Sequence, residues 1–383
     1  MKKNLLLSTL ASLAFACGGP TENKEETQVT TMEEKSYQFL LGSYTDEPSQ
    51  GIYLVEFSPS SSAFNVLATA SEPENPSFLT VNENQDRVYN VEETGGPDGG
   101  KVSSFKLEDG RFEKINTVSA KGNGPCYVAM DPKGNFVVAG NYSAGSFAVL
   151  PIGEDGKLEE AVHAVKHEGS SANPNRQKQP HVHSVLFHPS EDKMLIADLG
   201  TDEVVVYDFD GAKEKPLNEK ASFRLKVEPG AGPRHMVFND DGDRLYLVHE
   251  ITAEIGVYSY EDGKLSHLET HSLLREGFDG KVGAAEVRLS PDGKFLYVSN
   301  RGEANEIIAY KIQDEGKLSH VQTISSGGEA PRNFNITPDG KYMLVGHQGS
   351  NTLLAFERNE ETGELSPMDI SLNINKPVYI KFL

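Results

Sequence analysis

Short apolar runs divided by polar turns recur along the whole chain. One cycle is plain between residues 234 and 272. His235–Phe238 is a short apolar run that ends in Asp240-Asp241-Gly242. Arg244–Glu250 alternates into a second run, and Ile255–Tyr260 makes a third after a polar link. Asp262-Gly263 is a hairpin signal, and Leu265–Ser272 is the fourth run. Runs of four to eight residues with period-two alternation are half-buried strands, and turns this short make consecutive strands antiparallel.

The cycle repeats. Aligned on the first run and its following turn, copies begin at Pro76, Pro125, Val182, Pro233, Ala284, Pro331 and Pro377. Their spacing of roughly 45 to 57 residues is that of propeller repeats, and no long helical periodicity interrupts them. The pattern predicts an all-β fold, a seven-bladed β-propeller with four antiparallel strands per blade, a to d from the channel outward. The seventh copy has only strand a before Leu383. Tyr37–Tyr44, Gly51–Phe57 and Ala63–Ser71 supply strands b, c and d from the other end of the chain. The two ends thus complete one blade, and no bare sheet edge remains.

Composition narrows the partners. The 383 residues carry a net charge of −21, and no Trp is present. So acidic a chain is a poor partner for nucleic acid or an anionic lipid surface. The lack of Trp excludes blades built on a repeated Trp. Residues 1–16 read as a lipoprotein signal peptide: Lys2-Lys3, an apolar Leu5–Phe15 stretch too short to span a bilayer, and Ala16 before Cys17. Cys17 is the expected lipidation site and the only link to a membrane. Residues 17–36 read as a flexible tether and 37–383 as the propeller domain, which places the protein in the bacterial cell envelope. Cys126 is then left without a disulfide partner. Oligomeric state is left open.

The chemistry gathers where the strand order places it. The start of each strand a lies beside the end of strand b, so both ring one mouth of the channel. The first ring position reads Ser77, Cys126, His183, Arg234, Ala285, Arg332 and Val378; the next reads Phe78, Tyr127, Ser184, His235, Glu286, Asn333 and Tyr379. The strand-b ends add Asn141-Tyr142, His249-Glu250, Asn300-Arg301 and His347-Gln348. Of 11 arginines in the chain, Arg234, Arg301 and Arg332 fall on this rim. His181 and His183, two apart, should point together. A cationic mouth on an acidic protein suits a small anionic molecule. No carboxylate triad at ligand spacing accompanies the histidines, so no metal or other cofactor is assigned. Cys126 is read as a small buried thiol rather than a nucleophile.

Residues 37–383 resemble the bacterial seven-bladed propeller lactonases, the 6-phosphogluconolactonase family of cycloisomerase-2 type. The resemblance rests on Gly42-Ser43-Tyr44-Thr45, Asn75-Pro76-Ser77-Phe78-Leu79, Gly140-Asn141-Tyr142, Asn173-Pro174-Asn175-Arg176-Gln177, Pro180-His181-Val182-His183-Ser184, Gly230-Ala231-Gly232-Pro233-Arg234-His235, Ala285-Glu286-Val287, Ser299-Asn300-Arg301-Gly302 and Pro331-Arg332-Asn333-Phe334. It implies hydrolysis of a small anionic sugar lactone by a His/Arg/Glu cluster. His183, Arg234, Glu286 and Arg332 then become the catalytic candidates, with Glu286 or His183 as general base and the two arginines on the developing oxyanion or on the substrate's own anion. His181, His235, Arg301, Asn141 and His347 become the substrate-binding candidates. Two other readings fit the same rim: a muconate-type lactonizing cycloisomerase, and a non-catalytic envelope propeller that binds an anionic ligand.

Overall fold

Consecutive residues of the strand Tyr37–Ser43 serve different neighbours: Leu40 packs into one apolar cluster, Phe39 and Leu41 into another. The same division holds in Phe136–Asn141, where Val137 and Ala139 face one side and Phe136 and Val138 the other. A strand buried on both faces reads as an unbroken apolar run, because alternation still occurs but both sides are dry. The computed structural model describes residues 35–46, 50–97 and 99–383. The expected signal peptide, Cys17 and all but the end of the tether lie outside the described residues.

Seven four-stranded antiparallel sheets account for these faces. Blade 1 is closed by both ends of the chain: Pro377–Phe382 pairs with Tyr37–Ser43, with Phe39 opposite Phe382 and Gly42 opposite Tyr379. Ile52–Ser58 and Ala63–Ala70 complete it. The inner strands of blades 2 to 7 are Leu79–Val81, Pro125–Met130, Val182–Phe187, Pro233–Phe238, Val282–Leu289 and Pro331–Ile336. Each inner strand contacts the inner strand of the next blade, and that of blade 1 contacts that of blade 2, so the ring is closed. The apolar core therefore lies between blades. Each large side chain fully buried there contributes roughly 1.5–3 kcal/mol. Among the described residues the only helical pieces are two three-residue 3-10 turns, Glu154–Gly156 and Asp314–Gly316.

The inner strands share a defect that shapes the channel. In six of them the register with the second strand shifts by one residue near the start. Pro125 pairs with Asn141 but Tyr127 with Gly140; Pro331 pairs with His347 but Asn333 with Gly346. One extra residue is a β-bulge, which breaks alternation locally and re-aims side chains. Five inner strands are also entered through a residue with positive φ followed by proline: Asn75-Pro76, Gly124-Pro125, Gly232-Pro233, Ala330-Pro331 and Lys376-Pro377. The left-handed residue turns the chain inward, and proline stands where no ladder N–H is needed.

Candidate active site

The bulges explain why two consecutive residues of each inner strand reach the channel. The extra residues are Cys126, His183, Arg332 and Val378, each flanked by paired neighbours. Arg234 and Ala285 occupy the same place in blades 5 and 6. The residues after them form a second layer one step deeper. There Phe78 stacks on Tyr127 at 4.0 Å and leans on Tyr379 at 3.8 Å between ring centroids. Tyr127 meets His235 edge-on at 5.3 Å. His235 Nδ1 lies 3.3 Å from Glu286 Oε2, which also accepts a hydrogen bond from Asn333 Nδ2. Residues of six blades thus close the channel below the mouth.

The upper layer is organised around Glu250, which follows Arg244–His249 in blade 5. Its Oε2 accepts from Arg234 Nε at 2.9 Å and lies 3.2 Å from Arg301 Nη2 and 3.7 Å from His183 Nε2. Its Oε1 accepts from Arg176 Nη2 at 2.6 Å. Burial opposes the charge on Glu250, but Arg301, Arg234, His183 and Arg176 together hold the carboxyl well below the usual range. Burial and then Arg301 push the Arg234 guanidinium down to about 9, against the pull of Glu250. It stays charged at neutral pH. Arg234 Nη1 also donates to the carbonyl of Ala285. Its Nη2 has no partner among the described residues.

His183 is buried, and burial, reinforced by Arg234 and His235, keeps its imidazole neutral far below the ordinary histidine value. Its Nδ1 faces Cys126 Sγ at 3.9 Å. Burial pushes the Cys126 thiol up to about 12, so it is not a thiolate nucleophile at neutral pH. Both histidines of the His-x-His pair meet Tyr142: His181 stacks on it at 4.4 Å and His183 meets it edge-on at 5.3 Å. A carbonyl only accepts, so His181 Nδ1, 2.9 Å from the Tyr142 carbonyl oxygen, carries a proton.

Arg332 differs from the other arginines. It lies 5.8 Å from the Tyr44 ring and has no hydrogen bond or ion pair among the described residues. Burial works against its charge, but Tyr44 and Glu93 hold it firmly protonated. The Tyr44 hydroxyl donates to Glu93 Oε2 at 2.9 Å, and Ser77 Oγ donates to the same oxygen. All five guanidinium donors of Arg332 therefore remain unspent beside a site whose nearest carboxylates are already engaged.

Three expectations need correction. Glu286 is not placed to act as a base. Its Oε2 is taken by Asn333 and His235, and its Oε1 by the Val287 N–H at 3.2 Å, with Arg288 Nε 3.4 Å away. Burial raises its pKa, yet Arg288 and His235 outweigh that and hold the carboxyl at about 2. It braces the second layer. Asn141 turns away from the mouth and donates to the Ala120 carbonyl at 2.9 Å and to Ser146 Oγ at 3.1 Å. His347 is fully buried against Gly328, where even a Cβ would come within 2.6 Å of its ring. Both residues are the last of their second strands, and side chains there alternate. Ser43, Asp198 and His249 share that outward phase and bond to Gly51, His167 and Tyr258. The following residues, Tyr44, Tyr142, Glu250 and Arg301, hold the inward phase.

Its place at a strand-b end, like that of Arg301, is the signal by which Glu250 could have been found. Arg176 had no such signal, because it comes from the link between blades 3 and 4. His183, Arg234, His235, Arg301, Arg332 and His181 do lie at the mouth, as their places in the repeat require. A hollow of about 350 Å³ between blades 4 and 5 has none of the mouth arginines and is lined by Leu225, Val227, His249, Glu254, Tyr258 and His267.

Comparison with known proteins agrees with the fold. The family model described as "Lactonase, 7-bladed beta-propeller" matches residues 38–382. A Bacteroides fragilis structure superposes with a TM-score of 0.86 at 35% identity, over 92% of this chain and 99% of that one. The periplasmic gluconolactonase of Pseudomonas aeruginosa superposes with a TM-score of 0.86 at 34% identity, over 91% and 99%. The 6-phosphogluconolactonase of Bacillus subtilis is 29% identical over 349 residues, 91% of this chain and 98% of the relative.

Proposed function

The chain belongs to the seven-bladed β-propeller lactonase family, and on that premise we propose that it hydrolyses an anionic sugar lactone in the arginine-lined mouth around Glu250 and His183. The observation that carries this reading is the excess of guanidinium over carboxylate. Arg176, Arg234 and Arg301 share the one carboxylate of Glu250, and Arg332 has none. A cluster so charged, inside a protein of net charge −21, is complementary to an anion.

The chemistry follows from the spacing. Water is held between His183 Nε2 and Glu250 Oε2, 3.7 Å apart, a gap suited to a molecule that gives one hydrogen to each. His183 is neutral and takes the proton as the water oxygen bonds to the lactone carbonyl carbon. The charge that grows on the carbonyl oxygen is met by the free Nη2 of Arg234 and by Arg301. Glu250 stabilises the imidazolium. The ring C–O bond then breaks, the imidazolium returns its proton to the leaving alkoxide, and the product is an open-chain hydroxy acid. Arg332 binds the substrate's anionic group.

A pH-stat screen of phosphorylated and unphosphorylated aldonolactones tests the reading. Acid release well above the buffer rate is expected for at least one. Release at the buffer rate throughout rejects the lactonase, and ring closure of a muconate in the same assay would assign the site to a lactonizing cycloisomerase instead. We also propose that the protein is exported and anchored through Cys17. The charged start, the apolar run and the Ala16-Cys17 junction support this, as does the periplasmic relative from Pseudomonas. Labelling by radioactive palmitate should be lost in Cys17→Ser; undiminished labelling refutes the anchor.

A further inference from the structure

Three of the mouth arginines stand on or beside strands and are largely withdrawn from solvent. Arg176 is the exception. It belongs to the link between His163–Lys166 of blade 3 and Val182–Phe187 of blade 4, and its side chain is 42% exposed against 1% for Arg234 and 17% for Arg301. The backbone that carries it is nevertheless fixed. Gln177 is fully buried; its amide donates to the Leu199 carbonyl at 2.8 Å and to Asp202 Oδ1 at 2.7 Å. Its own side-chain oxygen accepts from the Asn173 N–H, and Asn173 Oδ1 in turn accepts from the N–H groups of Asn175 and Arg176. Further on, Gln179 and Pro180 are wedged between two glycines: a Cβ at Gly200 would come within 2.0 Å of the Gln179 carbonyl, and one at Gly145 within 2.5 Å of the Pro180 carbonyl. Backbone freedom at residue 176 is thus small, while its long side chain remains partly exposed to solvent.

That tip reaches two groups of the site. Arg176 Nη2 lies 2.6 Å from Glu250 Oε1 and 3.1 Å from the Tyr142 hydroxyl oxygen. The other strand-borne cations, Arg234 and Arg301, use Oε2. Among the described residues Oε1 is therefore held by Arg176 alone. We propose that Arg176 is a substrate-responsive latch on Glu250, a specificity-determining residue that leaves Oε1 for an anionic group on the incoming lactone and so makes the site most active when its substrate is an anion. This rests on the lactonase reading given above.

Once the latch moves, Glu250 keeps Arg234 and Arg301 but loses its third cation. Its carboxylate becomes the stronger partner for the imidazolium that forms on His183. The groups that face Glu250 are Arg176 from the link, Arg234 from the blade 5 inner strand, Arg301 from blade 6 and His183 from blade 4, with Arg332, Cys126 and Tyr142 farther off. A neutral lactone has nothing to draw the guanidinium away, and it meets a carboxylate that is still latched.

The test compares 6-phosphoglucono-δ-lactone with glucono-δ-lactone in the wild type, Arg176→Ala and Arg176→Lys proteins. In Arg176→Ala the ratio of kcat/KM values, anionic over neutral, should fall at least tenfold. The acid limb of the pH profile should move to higher pH, because a cation near the base has been removed. Arg176→Lys keeps the charge and should restore the limb, but a lysine cannot span Oε1 and Tyr142 together and should recover the ratio only in part. A merely structural role would slow both substrates alike and leave the limb in place. An unchanged ratio and an unchanged limb in Arg176→Ala, with an active wild type, overturn the latch alone. A wild type that hydrolyses neither lactone overturns the latch together with the lactonase reading.

Discussion

Arg234 Nε and Glu250 Oε2 meet at 2.9 Å across one blade, with 1% and 7% of their side chains exposed. A buried pair of this kind is a weak source of net stability when intact, yet removing one partner leaves the other charged and dry. Glu250→Gln would strand Arg176, Arg234 and Arg301 without a countercharge. The variant should lose about 3–5 kcal/mol in urea unfolding. Its kcat/KM on the wild-type lactone should fall by roughly 10²-fold or more, as for other groups that stabilise transition-state charge. Unfolding and kinetics indistinguishable from wild type would remove Glu250 from the centre of the site.

Arg332 should behave in the opposite way. It makes no ion pair among the described residues, so Arg332→Ala costs chiefly its contact with Tyr44, about 0.5–1 kcal/mol. The kinetic cost should be large and should appear mainly in KM for an anionic lactone, by roughly tenfold or more if the guanidinium makes a charge-assisted contact. A large drop in stability with an unchanged KM would mean that the residue supports the fold.

Acid should weaken the fold in two stages. His183, His235 and His347 all have pKa values lowered in the fold by burial, to about 4 for His235 and His347. The unfolded chain binds protons at the ordinary histidine value, so it holds more protons than the native state between about 6.5 and 4. Stability is therefore complete above that window and is lost as pH falls through it, at about 1.4 kcal/mol per pH unit for each histidine. Glu286, held at about 2, extends the loss below the ordinary carboxyl range. The urea midpoint followed from pH 7 to 4 should show this slope, and His347→Gln should reduce it. A flat profile across the window would contradict the buried neutral histidines.

Asn141→Ala separates fold from site. Its amide bonds only to Ser146 of its own blade and to the Ala120 carbonyl at the end of the blade before, so the variant should lose about 1–3 kcal/mol and keep a KM within about twofold of wild type. A tenfold rise in KM would return Asn141 to the substrate.

The ring itself was readable from the chain because each blade repeats the same turn and run, and because proline marks the entrance to most inner strands. Both ring positions were readable as well, although strict alternation would have rejected one of them. The bulge at His183, Arg234 and Arg332 makes consecutive residues share the channel, and a fixed spacing preserves it even where its cause is hidden. The phase at the end of each second strand was not readable. Asn141 and Tyr142, or His347 and Gln348, are equally polar, and only the register with the strand beside them decides which one faces inward. Glu250 went unchosen for a further reason. Its importance comes from Arg176, Arg301 and His183, which belong to other parts of the ring and are 51 to 74 residues away in the chain, so no local motif announces it.

Blade 1 takes its innermost strand from the last residues of the chain, and Tyr44 of that blade stands beside Arg332 of the preceding one. The substrate mouth thus straddles the seam where the circle is sewn shut. A chain lacking residues 377–382 would still own every basic group of the mouth and yet present it with one wall missing.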